Sequence, residues 1–227
     1  MIAIIPARGG SKRIPRKNLR DFCGRPIIAY SIEAALTSGL FDHVMLSTDD
    51  GEIAELAKSL GAEVPFMRSA KASDDYASTA DVLIEVIAEY AARDMRFNHA
   101  CCIYPTAPFV TAEKLRRAFE RLQQTDADCV LPITAFSFPI LRSFRKDGDN
   151  VFYNWEDHAA KRSQDLPTAY HDAGQFYIFK TAALERTGQF ITADTIGIET
   201  PEMEVQDIDH PSDWALAELK FRHAAVV

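Results

Sequence analysis

The first eighteen residues constrain this chain most. Met1 to Ala7 read M-I-A-I-I-P-A, a short apolar run suited to a buried strand. Arg8 to Asn18 follow at once as R-G-G-S-K-R-I-P-R-K-N, with adjacent glycines and five basic side chains. A strand feeding a Gly-rich basic turn is a good holder for a polyphosphate. The strand fixes where the turn begins, and Gly9 and Gly10 let backbone N–H groups approach oxygen atoms closely. Arg8, Lys12, Arg13, Arg16 and Lys17 can neutralise the charge. The turn therefore points to a nucleoside triphosphate, with chemistry at phosphorus. Neither well-known phosphate motif is present: no Gly-Lys-Ser/Thr follows, and Gly9-Gly10-Ser11 breaks G-x-G-x-x-G. A solvated basic turn is the plain alternative.

The basic turn stands out because the 227-residue chain carries a net charge of −8. That balance excludes general nucleic-acid binding, which needs a broad basic face, and leaves room for a local anion site. Cys23, Cys101, Cys102 and Cys129 show no zinc spacing and no C-x-x-C. The last three lie in apolar runs and read as buried thiols. No stretch approaches a membrane span, and the start lacks a signal-peptide pattern. A cytoplasmic protein with no membrane partner is expected.

Strand and helix patterns alternate over the first two thirds. A helix opens at Pro26 and ends at Gly39. A strand at His43 to Thr48 leads to a helix capped by Asp49 or Asp50 and stopped by Gly61. A short strand is expected at Ala62 to Phe66. Ser78 or Thr79 caps the next helix, Ala100 to Tyr104 is a central strand, Thr111 caps a helix, and Cys129 to Thr134 is a further strand. This predicts an α/β fold with a mostly parallel, Rossmann-like sheet and helices on both faces. Ligands of such sheets bind beyond the carboxyl ends of the strands. The turns at Arg8 to Asn18, Thr48 to Asp50, Arg68 to Asp75 and Tyr104 to Phe109 then share one rim. Phe136 to Thr168 breaks the pattern and reads as a β-hairpin excursion with exposed aromatics, the mark of a subunit contact. The sheet resumes at Gln175 to Lys180. Met203 to Asp209 reads as strand-like, and Pro211 to His223 as a closing helix with Ser212 near its cap.

Asp207 and Asp209, in V-Q-D-I-D-H, point the same way if the segment is extended. Together they suit one hard divalent cation, with magnesium natural beside a triphosphate. Capping of the last helix is the competing explanation. Tyr104 and Thr106 can present hydroxyls at the end of the central strand. The polar runs Arg162 to Asp165 and Tyr170 to Gln175 suit recognition of a polyhydroxylated acid, or form a surface loop. His171-Asp172 is not read as a catalytic dyad, since adjacent residues rarely face each other and no G-x-S-x-G is present.

The segments I-I-P-A-R-G-G-S-K-R-I-P-R-K-N, V-M-L-S-T-D-D, Y-P-T-A-P-F, R-S-Q-D, H-D-A-G-Q-F-Y and V-Q-D-I-D resemble the acylneuraminate cytidylyltransferases, the makers of CMP-sialic acids. The resemblance runs from Met1 to about Phe221. F-C-G-R-P-I-I-A-Y-S-I-E-A-A and Y-H-D-A-G-Q-F-Y are similar to the pseudaminic acid branch. Sialic acid enzymes more often carry Asn-Gly near Asp172-Ala173-Gly174 and Gln-Pro-Thr at Tyr104-Pro105-Thr106. The resemblance implies a nucleotide-diphospho-sugar transferase fold over residues 1–227, with 136–168 as an inserted dimerisation hairpin and a homodimer as the assembly. It implies that CTP and a nine-carbon 2-keto sugar acid give a CMP-sugar and pyrophosphate, with Mg²⁺. By matching positions, Ala7, Arg8, Gly9, Gly10, Ser11, Lys12, Lys17 and Asn18 would hold the triphosphate, with Arg8, Lys12 and Lys17 catalytic. Arg68 and Thr79 would lie near cytosine and ribose. Tyr104, Thr106, Arg162, Gln164 and His171 would face the sugar, and Asp207 and Asp209 would hold magnesium. The legionaminate, N-acetylneuraminate or another 2-keto sugar acid is the alternative substrate. A nucleotide sensor without chemistry is the rival class, and the lysines and paired aspartates argue against it.

Overall fold

The computed structural model describes residues 1–11, 13–74 and 76–224. In chain order, the first half holds β1 (Ile2–Pro6), the paired short strands β2 (Asp21–Phe22) and β3 (Arg25–Pro26), α1 (Ile28–Ser38), β4 (His43–Ser47), α2 (Gly51–Ser59) and α3 (Thr79–Ala91). Next come β5 (His99–Ile103), α4 (Ala112–Gln123), β6 (Cys129–Ala135), and the hairpin β7 (Phe144–Asp147) and β8 (Asn150–Tyr153). The chain closes with β9 (Tyr170–Asp172), β10 (Phe176–Lys180), α5 (Thr181–Thr187), β11 (Thr195–Glu199) and α6 (Pro211–Ala224).

The main sheet has the order β11-β6-β10-β5-β1-β4. β4 and β5 run parallel to β1, and β11 runs parallel to β6. β10 lies antiparallel between β5 and β6. β9 pairs antiparallel with the last residues of β6. The sheet is thus mostly parallel, as its sequence suggests, with two reversed strands. Successive strand residues point to opposite faces. Ala3, Ile5, Leu46, Cys101 and Ile103 pack with Ile28, Ile32, Ile53 and Leu115 on one side. Ile2, Ile4, Met45 and Cys102 pack with Leu83, Val86 and Leu184 on the other. Burial on both faces explains why these strands are apolar at almost every position. A third cluster, built on Ile14, Phe22, Ile27, Phe109, Ile208, Trp214 and Ala217, fastens α6 to the rim of the sheet.

Several boundaries differ from the sequence pattern. The first helix begins at Ile28, two residues past Pro26. Ala62 to Phe66 forms no ladder, only a bridge between Met45 and Glu63, because Pro65 has no N–H to extend one. The last helix is closed by Asp213 rather than Ser212: its carboxylate accepts from the backbone N–H of Asp209 and of His210 at 3.0 and 2.7 Å. Met203 to Asp209 is not a strand. Its backbone oxygens are taken by side chains instead: Gln175 donates to Glu204 O, Lys220 to Val205 O and Lys17 to Ile208 O. The edge strand is β11, which the sequence pattern hides. A Cβ at Gly197 would fall 2.5 Å from the Ile133 side chain, which would have to shift to admit a larger residue.

Residues 136–168 stand apart, as expected of an excursion. They hold β7, β8 and short 3₁₀ turns, with Phe138, Phe144, Val151, Phe152 and Trp155 exposed.

Helix caps aim several loops at the rim. Asp50 accepts from the N–H groups of Glu52 and Ile53 at the start of α2. Ser78 and Asp81 form a reciprocal capping box on α3, which sets Thr79 as its first residue. Ser78→Ala should lower stability by about 1 kcal/mol, read as a lower urea midpoint at unchanged slope. Hydrogen bonds from the Ser78 side chain and backbone hold the Asp81 carboxyl below its ordinary value. The Asp81 contribution is therefore full above the unfolded carboxylate pKa and is lost as pH falls through the lower folded value.

Candidate active site

Two buried isoleucines build the site. Ile14 lies in the basic turn and Ile208 lies between Asp207 and Asp209; both are at most 1% exposed and share one apolar cluster. Their burial draws a cationic turn and an acidic one together at the carboxyl ends of β1 and β5. Lys17 closes the contact, with Nζ donating to Ile208 O at 2.7 Å. Arg13 pairs with Asp209 at 2.8 Å. Asn18 Nδ2 donates to Arg8 O at 3.0 Å, while its buried Oδ1 has no partner within the protein. Arg16, left-handed at φ 53°, turns outward to pair with Glu52.

Between these walls lies a cleft of about 560 Å³, lined by Arg8, Ser11, Arg13, Lys17, Asn18, Thr79, Tyr104, Thr106, Asp207, Asp209 and two prolines. Most of the expected side chains therefore converge. The Tyr104 backbone is fixed from both sides, by Ser31 Oγ donating to its oxygen and by its N–H donating to Gln175 O. Gly9 and Gly10 line an adjoining hollow with Asp49. The Gly9 N–H is already held by Asp49 Oδ1 at 2.9 Å. A Cβ on Gly9 would fall 2.9 Å from the Asp50 Cβ, so here glycine serves packing of the turn. Charge for an anion is supplied by the arginine and lysine side chains. Ala7 is fully buried and donates its N–H to Ser47 O, continuing the strand. Lys12 lies outside the described residues.

Besides Ala7, Gly9 and Gly10, four expected residues do not line this cleft. Arg68 is buried, and its guanidinium donates to Ser47 Oγ and Ser47 O at 3.0 and 2.6 Å, bracing the end of β4. Arg162 pairs with Asp165 on the excursion, and Gln164 is exposed in the same short turn. His171 is exposed on β9, with its ring 4.7 Å from Phe136 and Nδ1 against Asp172 O. Their polar density reflects an exposed excursion and its return strand. What the sequence pattern missed is the buried partner of Tyr104. Tyr177, in an apolar strand, gave no signal beyond core.

Burial pulls the Lys17 pKa down, and Asp209 and Asp207 push it back up. Burial, then the neighbouring Asp209, raises Asp207. For both groups burial outweighs the opposite charge nearby, so each is biased towards its neutral form. Neither aspartate side chain caps α6, since Asp213 does so. No group of three or more His, Cys, Asp or Glu suited to a metal is found among the described residues. Two carboxylates facing a cationic cleft nevertheless fit Mg²⁺, which takes one or two carboxylates and completes its shell with phosphates and water. Arg13 already stands as a cation on one of them. Burial raises Cys129 to about 12 and Cys101 and Cys102 further, so these thiols are no nucleophiles. No helix of the described chain is long and apolar enough to cross a membrane.

The family model described as cytidylyltransferase matches residues 2–202. The chain is 43% identical over 223 residues to the pseudaminic acid cytidylyltransferase of Campylobacter jejuni, covering 97% of this chain and 96% of that protein. It is 31% identical over 221 residues to the CMP-N,N'-diacetyllegionaminic acid synthase of Legionella pneumophila, covering 96% and 94%. A solved structure of CMP:2-keto-3-deoxy-manno-octonic acid synthetase complexed with CTP superposes with a TM-score of 0.69. It covers 100% of this chain and 99% of that one at 17% identity, a likeness of fold. With a family match over most of its length and relatives of this similarity, the chain belongs to the cytidylyltransferase family.

Proposed function

We propose that this protein activates a nine-carbon 2-keto sugar acid, pseudaminic acid, with CTP, giving the CMP-sugar and pyrophosphate. The observation that carries the reading is the meeting of Arg8, Ser11 and Lys17 with Asp207 and Asp209 in one cleft. The near full-length similarity to a pseudaminic acid cytidylyltransferase supports the choice of sugar. The anomeric C2 hydroxyl attacks the α-phosphorus in line with the leaving pyrophosphate. Such a reaction depends on positioning and charge more than on a protein nucleophile. Arg8, Ser11, Lys12 and Lys17 hold the triphosphate, and Lys17 neutralises the leaving group from a fixed position against Ile208 O. The unpartnered Asn18 Oδ1 is free to accept from a nucleotide donor. Tyr104 and Thr106 face the sugar acid. Asp207 and Asp209 would hold Mg²⁺, which neutralises phosphate charge when bound.

The whole chain acts in this reading as one nucleotidyltransferase domain. Its excursion 136–168 joins two copies through the exposed Phe138, Phe144, Phe152 and Trp155. Four free cysteines and a nucleotide co-substrate suit the cytoplasm.

Pyrophosphate release, measured with each of four nucleoside triphosphates and with pseudaminic, legionaminic and N-acetylneuraminic acids, tests the reading. CTP with pseudaminic acid should be fastest. Binding of CTP with no release for any sugar would contradict it. Lys17→Ala should lower kcat about a hundredfold or more, the scale of one preorganised donor; near-normal kcat would remove Lys17 from the chemistry. Asp209→Asn should move the magnesium titration of the rate to higher concentration. An unchanged titration would show that Asp209 serves only Arg13.

A further inference from the structure

Arg13 already occupies a carboxylate that a bound metal would need. Its guanidinium lies 2.8 Å from Asp209 Oδ1, and both side chains line the cleft. The backbone on either side sets this pairing. Ile14, next to Arg13, and Ile208, next to Asp209, are each at most 1% exposed and share one apolar cluster. The Asp209 N–H is held by Asp213 Oδ2 at 3.0 Å, so its position does not depend on Arg13. The two side chains themselves are open to solvent, at 57% and 38% exposure. An ion pair this open is weak. Arg13 can leave it by rotating about its own side-chain bonds while Ile14 keeps the backbone in place.

The other basic residues near the pair have different partners. Lys17 donates to Ile208 O and makes no claim on either carboxylate. Arg16 turns outward to Glu52. Among the described lining residues, three basic side chains, Arg8, Arg13 and Lys17, face two carboxylates. A bare divalent cation adds like charge to that balance and has to break the Arg13–Asp209 pair. A metal–triphosphate pair is a net anion, and it offers something in return. Arg13 gains a phosphate, which suits a guanidinium as well as a carboxylate does. Asp209 gains a hard cation in place of Arg13. Neither group is left unpaired by the exchange.

We propose that Arg13 is a resident counterion of Asp209 that gives up this carboxylate in exchange for the triphosphate, so that the cleft takes a divalent cation together with the nucleotide and resists it alone. The inference rests on the CTP reading given above and adds to it an order of binding.

Free Mn²⁺, measured by electron paramagnetic resonance, tests the first half on the nucleotide-free protein. Arg13→Gln should tighten Mn²⁺ binding about three- to fivefold, the scale of an exposed ion pair. Arg16→Gln removes an equal charge from the same turn, but its partner is Glu52. At physiological salt, where charges further apart are screened, it should change Mn²⁺ binding less than about twofold. Calorimetric titration with CTP in saturating Mg²⁺ tests the second half. There Arg13→Gln should weaken CTP about tenfold or more, the scale of a hydrogen bond to a charged group. The opposite signs are the signature, since an Arg13 that only shaped the turn would weaken both ligands when removed. Absent, unchanged or weaker Mn²⁺ binding in Arg13→Gln, equal tightening in Arg16→Gln, or undiminished CTP affinity in Arg13→Gln overturns the proposal. Pyrophosphate release by the wild type separates the two levels. Release from CTP alongside any of those results leaves the enzyme reading in place, and no release with every sugar acid overturns that reading as well.

Discussion

The contact of Ile14 with the Ile208 cluster is what the rest of the site depends on. It forces two turns of opposite charge, far apart in sequence, to share one rim. Burying each isoleucine stabilises the fold by about 1.5–3 kcal/mol. That gain holds Lys17 and Asp207 in partial burial, which drives each towards its neutral form. Lys17 is the hinge of the arrangement. Its ammonium bonds the backbone oxygen between the aspartates, leaving both carboxylates for other partners.

The sheet serves the same end. Its parallel strands bring the basic turn, Tyr104 and the end of β4 to one edge. The reversed β10 brings its Tyr177 beside Tyr104, and in the turn that precedes it a Cβ on Gly174 would stand 3.7 Å from the Asp207 carboxyl carbon. In the proposed reading, nucleotide charge and sugar recognition fall to neighbouring strands, β1 and β5. This division suits an enzyme that must orient two polar substrates without a covalent intermediate.

Much of this was legible in the residues. The apolar runs of β1, β4, β5 and β6 announced strands covered on both faces, and the Gly-rich basic turn marked one wall of the cleft. Asp207 and Asp209 were visible as a pair, but their freedom from capping was not. That depended on Asp213 reaching back to two backbone N–H groups. Other features were hidden because the determining contact is non-local. Gly197 looks like a strand breaker until Ile133 is seen beneath it. Arg68 gave no sign in the sequence that its guanidinium would be held on Ser47. His171 is the more chemical-looking residue of its pair, yet its ring rests on Phe136 while Asp172 accepts from the buried Tyr177. Tyr177 has no signature at all, because a buried tyrosine in an apolar strand looks like core.

The most direct measurement is a crystal structure with CTP and Mg²⁺ bound. The triphosphate should lie between Arg8, Ser11 and Lys17, with a cation on Asp207 and Asp209 and Arg13 displaced from Asp209. A nucleotide seated elsewhere, with the Arg13–Asp209 pair intact and the cleft filled by solvent, would contradict the account at its base.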